Sequence, residues 1–186
     1  LCVRRGLASG GNFDIITNLD LNCPATQRRV ARLVDISKPM VILMAPTCRP
    51  FGPLSYVNRS INRAAWQQSY DDAAPHGRFC GKIALQQIAA GRFFMNEQPY
   101  PSTLYDESPW PNVLAHESVS TVVIDQCMTG LRGRSGKLIR KRTGFVANTI
   151  LLLQHLAKFR CDNSHEHEVL EGSEAIAASQ VWTWRL

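Results

Sequence analysis

Three groups of residues in this chain have types and spacings that could do chemistry. Cys48 stands between Pro46 and Pro50, directly after the apolar run Met40 to Met44. A thiol ionises close to neutrality and is a strong nucleophile, so a cysteine pinned by two prolines is a candidate for covalent catalysis. The plainer alternative is a buried, inert cysteine under a loop. Cys127, Cys161, His165 and His167 offer two thiols and two imidazoles, a donor set suited to tetrahedral zinc. Their Cys-x-x-x-His-x-His spacing is not that of a zinc finger, and a free thiol beside surface histidines is the alternative. The third group is the run RGRSGKLIRKR at 132–142, with Arg132, Arg134, Lys137, Arg140, Lys141 and Arg142 and no acid. These six match the whole formal net charge of +6, so the rest of the chain is neutral. A local basic run on a neutral body predicts contact with a polyanion, a solvated loop being the alternative.

The composition sets the frame for these groups. At 186 residues, 45% hydrophobic and 19% charged, the chain suits one globular domain with a real core. No stretch approaches the ~20 apolar residues of a membrane span, and no secretory signal opens the chain. The six cysteines are scattered, with no Cys-x-x-Cys pair, and do not read as a disulfide framework. They are expected to be intracellular thiols, in nucleus or cytoplasm. Leu1 in place of Met points to a piece of a longer product.

The elements that must position these groups read as alternating strands and helices. Phe13 to Thr17 (FDIIT) reads as a short strand with Asp20 just beyond its end. A helix follows from Pro24, with Val30, Leu33 and Val34 inward and Arg28, Arg29 and Arg32 outward. Met40 to Met44 reads as a strand buried on both faces of a parallel sheet. A long proline-rich loop runs from Ala45 to about Asn62, then a helix over Arg63 to Asp72, ended by Pro75. A second helix covers about Arg78 to Ala90, with a stripe of Phe79, Cys80, Ile83, Ala84 and Ile88. Phe93 to Met95 reads as a strand ending in Asn96-Glu97-Gln98-Pro99, and Ser120 to Ile124 as a strand ending in Asp125-Gln126-Cys127. Asn148 is expected to cap a helix whose core face includes Ile150, Leu153 and Leu156. A last helix is expected over Glu174 to Trp184. Strand–helix–strand order predicts an α/β fold with a doubly wound, mostly parallel, Rossmann-like sheet. Ligands of such sheets bind beyond the carboxyl ends of the strands, where Cys48 and Glu97 both fall.

The order of these motifs resembles that of the cytosine-5 DNA methyltransferases. Their nucleophile loop, Pro-Pro-Cys-x-x-Phe-Ser, is matched by Pro46-Thr47-Cys48-Arg49-Pro50-Phe51-Gly52, and their Glu-Asn-Val strand end by Glu97-Gln98-Pro99. The chain looks closer still to the methyltransferase-like domains of retrotransposon polyproteins. Those share a Pro-Cys loop, a Glu-x-Pro strand end, an Asp-Gln-Cys (here 125–127), and a Cys with His-x-His before a Gly (here Cys161, His165, His167 and Gly172). The resemblance covers about residues 10 to 172.

The resemblance implies a single methyltransferase-like domain. Residues 1–11 would be linker, 12–126 the sheet core, 127–172 the basic and Cys/His region, and 173–186 a terminal helix. It implies that Cys48 adds to ring carbon 6 of a flipped cytosine, that Glu97 contacts the ring nitrogen and exocyclic amine, and that S-adenosylmethionine gives the methyl group. Asp20 and Pro46 are where it places the cofactor. Thr47, Gly52 and Gln98 depart from the family pattern, and no Phe-x-Gly-x-Gly turn is present. The sheet is therefore expected to be incomplete at its N-terminal side, and residues 1–186 alone to bind the cofactor very weakly. Nucleic acid, DNA ahead of RNA, and other domains of a polyprotein are the expected partners. A non-catalytic nucleic-acid-binding or zinc-stabilised remnant of the fold is the alternative.

Overall fold

The structure, a computed structural model, describes residues 8–170 and Ser179. The helix expected over Glu174 to Trp184, and Gly172, lie outside the described residues apart from Ser179. The first regular element is a 3-10 turn at Ile15–Thr17, not a strand. The Asp14 carboxylate accepts from Ile16 N at 2.9 Å, and Thr17 Oγ1 accepts from Asp14 N at 3.1 Å. This reciprocal capping wins over the strand preference of two isoleucines that have nothing to pack on: Ile15 and Ile16 are 72% and 88% exposed.

Helix α1 (Pro24–Ser37) starts on Pro24 and buries Val30 and Val34, four residues apart. Leu33, expected inward, is 38% exposed. Strand β1 (Val41–Met44) follows. The long loop after it contains a short helix, α2 (Ser55–Ile61), and α3 (Arg63–Asp71) comes next. Helix α4 (Ala74–Ala89) begins earlier than expected, with Pro75 inside its first turn rather than before it. Its buried stripe is Phe79, Cys80, Ile83 and Ala84. Strand β2 (Phe93–Pro99) is longer than expected and includes Glu97. Helix α5 (Trp110–Leu114) packs on α4: Trp110 Nε1 donates to Gly77 O at 2.9 Å, and a Cβ on Gly81 would sit 2.9 Å from Pro109.

Strand β3 (Ser120–Asp125) leads through a 3-10 turn at Gln126–Thr129 to the short β4 (Leu138–Ile139) and then β5 (Arg142–Ala147). Helix α6 (Ile150–Leu153) and β6 (His167–Glu168) complete the described elements. The cap of α6 is Thr149, not Asn148. The Asn148 amide instead clamps the start of β2, accepting from Phe94 N and donating to Arg92 O, both at 2.8 Å. Ile150, expected inward, is 59% exposed.

The main sheet has the order β1-β2-β5-β3, and β4 and β6 form a separate parallel pair. The fold is α/β, as expected, but the sheet is mixed: β1 and β2 are parallel, whereas β5 is antiparallel to both β2 and β3. The physical reason is the connection before β5. The chain reaches it through a turn-rich excursion with no crossover helix, and such a link suits antiparallel entry. Strands β1, β2 and β3 therefore run one way and end at one edge, where β5 begins. Strand β1 lies at the side of the sheet, so Leu43 is 63% exposed and the expected two-faced burial does not hold.

The two faces of the sheet carry separate apolar clusters. Val30, Val34, Phe79, Ile83, Phe94, Trp110 and Val146 form the larger one, on the side of α1, α4 and α5. Ile124, Phe145, Ala147, Leu153 and Leu156 form the smaller, on the side of α6. Among the described residues no helix is long and apolar enough to cross a membrane.

Candidate functional site

The thiol loop is built from the end of β1. Pro46 is buried, and its carbonyl accepts from Gln98 Nε2 at 2.8 Å. Gln98 is fully buried on β2 and also accepts from Ser102 Oγ at 3.2 Å. Cys48 O accepts from both Phe51 N and Gly52 N at 3.0 Å, folding the loop back, and Phe51 anchors it in the core. Cys48 itself is half-buried. On β2, Gln98 and Glu97 point to opposite faces. Gln98 thus holds the loop while Glu97 remains available to the edge.

The electrostatics place the two expected catalytic residues in one field. Burial pushes the Cys48 thiol up, and the nearby Glu97 charge pushes it further, with Lys141 and Arg49 opposing. Burial raises Glu97 to about 7, with Lys141 again opposing. The arrangement is a protonated thiol beside a carboxyl that exchanges its proton near neutrality, with one lysine acting on both. A general acid works best with such a pKa. Two cavities lie beside the loop, and Arg49 lines both. One, of about 240 Å³, is lined in part by Pro50, Asn58, Asn62 and Trp66. The other, of about 260 Å³, is lined in part by Thr47, Gln68 and Asp72.

The residues expected to hold S-adenosylmethionine do not form a cradle for it. With no strand at Phe13 to Thr17, Asp20 is not at a strand end. It is exposed in the turn before α1, and its carboxylate accepts from Asn22 N at 2.9 Å. The Pro46 carbonyl is committed to Gln98. Gly10 and Gly11 are exposed, and a Cβ added at either would meet nothing within 4 Å. The described residues therefore do not fit this cofactor.

The four predicted metal ligands do come together. Their ligand atoms all lie within 4.8 Å of one another. Cys161 Sγ is 3.7 Å from His165 Nε2 and 3.5 Å from His167 Nε2. A tetrahedral zinc with ordinary bond lengths separates sulfur from nitrogen by roughly 3.6 Å, which these distances match. Three segments deliver the ligands. Cys127 sits in the 3-10 turn after β3, and burial followed by its contact with Cys161 pushes its thiol up to about 12. Cys161 is fixed by its own N–H, which donates to Asp125 Oδ2 at 2.9 Å, and its sulfur accepts from Asn163 N at 3.3 Å. His167 belongs to β6 and pairs in register with Leu138 of β4. Donor identity, spacing and shape fit a metal ion such as zinc.

The basic run does not stand free as one patch. Lys137 Nζ pairs with Glu166 at 2.7 Å, and Arg132 Nη1 donates to Gly136 O at 2.6 Å. Lys141 is half-buried and donates to Ser179 O at 2.9 Å. Arg142 lies over the Tyr100 ring at 5.1 Å. Glu168 accepts from Arg134 N at 3.2 Å, from Ser135 N at 3.1 Å and from Ser135 Oγ. The segment from His165 to Glu168 thus turns its glutamates to the basic loop and its histidines to the metal site.

Asp125, which the sequence offers only as part of an Asp-Gln-Cys motif, and Arg160, which it does not single out, also belong to the site. Asp125 is fully buried, with Arg140 Nε at 3.1 Å and the Nε atoms of Arg142 and Arg160 at 4.0 Å. Burial alone would raise its carboxyl, but the Cys161 N–H and Arg140 outweigh it and hold the group below the ordinary carboxylate range. A lone acid between an apolar strand and a cysteine was the available signal. No protein-family model matches the chain, and no curated protein or solved structure shows significant similarity to it.

Proposed function

We propose that this domain acts on a pyrimidine base in nucleic acid by covalent addition, in the manner of the cytosine-5 methyltransferases it resembles. The observation that carries the reading is the meeting of Cys48 and Glu97 at one sheet edge, the carboxyl raised to about 7. In this reading Cys48 first loses its proton to solvent. The thiolate adds to ring carbon 6 while protonated Glu97 donates to ring nitrogen 3 and is left as a carboxylate. The carbon 5–carbon 6 double bond is lost, a carbon 4–carbon 5 enamine forms in its place, and carbon 5 turns nucleophilic. Lys141 favours both the thiolate and the spent carboxylate. Water can protonate carbon 5 of this adduct and then take the original hydrogen from it; return of the nitrogen 3 proton to the Glu97 carboxylate as the thiolate leaves restores the ring.

That last route gives a test independent of any methyl donor. Cytosine carrying tritium at carbon 5, in an oligonucleotide, should lose tritium to water in the presence of the protein. Cys48→Ser should abolish the loss, and Glu97→Gln should slow it by at least tenfold, within the range of general acid catalysis. Release that is unchanged by Cys48→Ser, or absent altogether, would sink the reading. The four-ligand cluster favours a second reading, in which zinc holds a nucleic-acid-binding module together without catalysis. Metal-dependent nucleic-acid binding with no tritium release would select it.

A further inference from the structure

We propose that the metal centre and the arginines Arg140, Arg142 and Arg160 work as one unit, a phosphodiester-binding site whose geometry depends on metal occupancy. The proposal rests on the reading of nucleic acid as the partner. It names where the backbone is gripped and what sets that grip. Three guanidiniums gather on one fully buried carboxylate, Asp125. A single carboxylate cannot neutralise three cations, so an excess of positive charge remains at the surface. The side chains of Arg140, Arg142 and Arg160 are 34%, 44% and 48% exposed. Guanidinium forks suit phosphate oxygens better than any other side chain does.

The rest of the basic run is less suited to this role. Lys137 is paired with Glu166, Lys141 turns inward to Ser179, and Arg132 closes its own turn. Arg160, outside the run, joins the cluster because of the fold.

Residues 160–163 belong to both halves of the unit. Arg160 sits on Asp125, and the next residue, Cys161, gives its sulfur to the metal cluster and its N–H to Asp125. Asn163 accepts from Arg140 Nη1 at 2.7 Å while its N–H points at Cys161 Sγ. A metal that fixes Cys161 therefore also fixes Asp125, Arg160 and, through Asn163, Arg140. The location fits as well. Arg142 opens β5 opposite Asp125 at the end of β3, at the edge that carries Cys48 and Glu97. Tyr100, beneath Arg142, directly follows β2.

The test uses the zinc-loaded full chain and a fluorescent 20-base-pair duplex, with anisotropy followed against salt. Each phosphate contact contributes about 0.9 to the slope of log affinity on log salt. The double variant Arg142→Gln/Arg160→Gln should lower the slope by about 1.8, an affinity loss of ~60-fold at 0.1 M salt. Arg132→Gln/Lys137→Gln should leave the slope unchanged. Arg142→Lys/Arg160→Lys, which keeps the charge and guards against misfolding, should keep the slope yet bind more weakly. Removing zinc with a chelator should weaken binding in the parent chain and leave the Gln double variant little changed.

An unchanged slope in the Gln double variant would overturn the site. Full affinity after zinc removal would overturn the coupling. Phosphatidylserine vesicles that compete as well as DNA at equal phosphate would overturn the nucleic-acid assignment. Tritium release from free deoxycytidine separates this proposal from the reading beneath it. Release that persists while the slope is unmoved removes the phosphate site alone. A slope that falls as expected with no release removes the Cys48 chemistry alone.

Discussion

The thiol site and the Cys/His centre lie at the same edge of the sheet but are built in opposite ways. At the thiol site the groups are few and share no direct bond, and burial drives both toward their neutral forms. At the Cys/His centre the groups interlock: Asp125 is held ionised, three segments converge, and each ligand segment is tied to a neighbour. Burial without partners leaves a group ready to exchange a proton, whereas burial with partners fixes its charge and position. The first suits chemistry and the second suits architecture.

The largest expected effect tests that division directly. Cys161→Ser should abolish stoichiometric zinc binding and lower the melting temperature by roughly 5 °C or more, since structural zinc is folding free energy and ~1 kcal/mol moves a domain of this size by 2–4 °C. Cys48→Ser should shift it by less than about 2 °C. Thermal melts with elemental analysis on the same samples check both. Equal shifts in the two variants would erase the distinction.

A smaller effect should appear at Glu97, and only on one side of neutrality. Its folded pKa, about 7, lies above the ordinary carboxylate value of 4.5. A raised acid stabilises the fold below its unfolded pKa, and that contribution is lost as pH rises through the folded value. Glu97→Gln should therefore be more stable than the parent at pH 8 and close to it at pH 5, read as melting temperature at each pH. A variant equally shifted at both would show that Glu97 is not held out of its charged form.

The smallest effect concerns the exposed pair Lys137–Glu166. Glu166→Gln should leave stability essentially unchanged, because solvent screens an exposed ion pair. Denaturant melts would show it. A loss comparable to that of Cys161→Ser would mean that the loop, not the metal, holds this region.

Much of this contrast was legible in the residues, for reasons that differ by site. The four Cys/His ligands stand out in the sequence because two thiols and two imidazoles are rare and chemically distinctive, and the fold brings them together. The helical stripe of α4 was found because buried residues recur at helical spacing. The reversed central strand β5 was missed because Arg142-Thr-Gly-Phe-Val-Ala abuts a basic run that claimed its first residue. Strand β1 was given the wrong surroundings because an apolar run looks the same at the side of a sheet as in its middle. Phe13 to Thr17 reads as a strand because the competing Asp14–Thr17 capping is a local side-chain effect that apolar content hides. The pairing of Asp125 with Arg160 is not legible in the sequence because the two are 35 residues apart in numbering and meet only through the fold.

The alternation His165-Glu166-His167-Glu168 has one more consequence. A strand as short as β6 has almost no apolar surface to decide how it lines up with β4. A slip of one residue would turn every side chain over. It would put carboxylates where a thiolate-rich site prefers imidazole, and imidazoles where Glu168 now accepts from two backbone amides. Correct alignment is thus checked twice, once on each side of the strand. The chain has written a two-letter code that reads properly in a single frame.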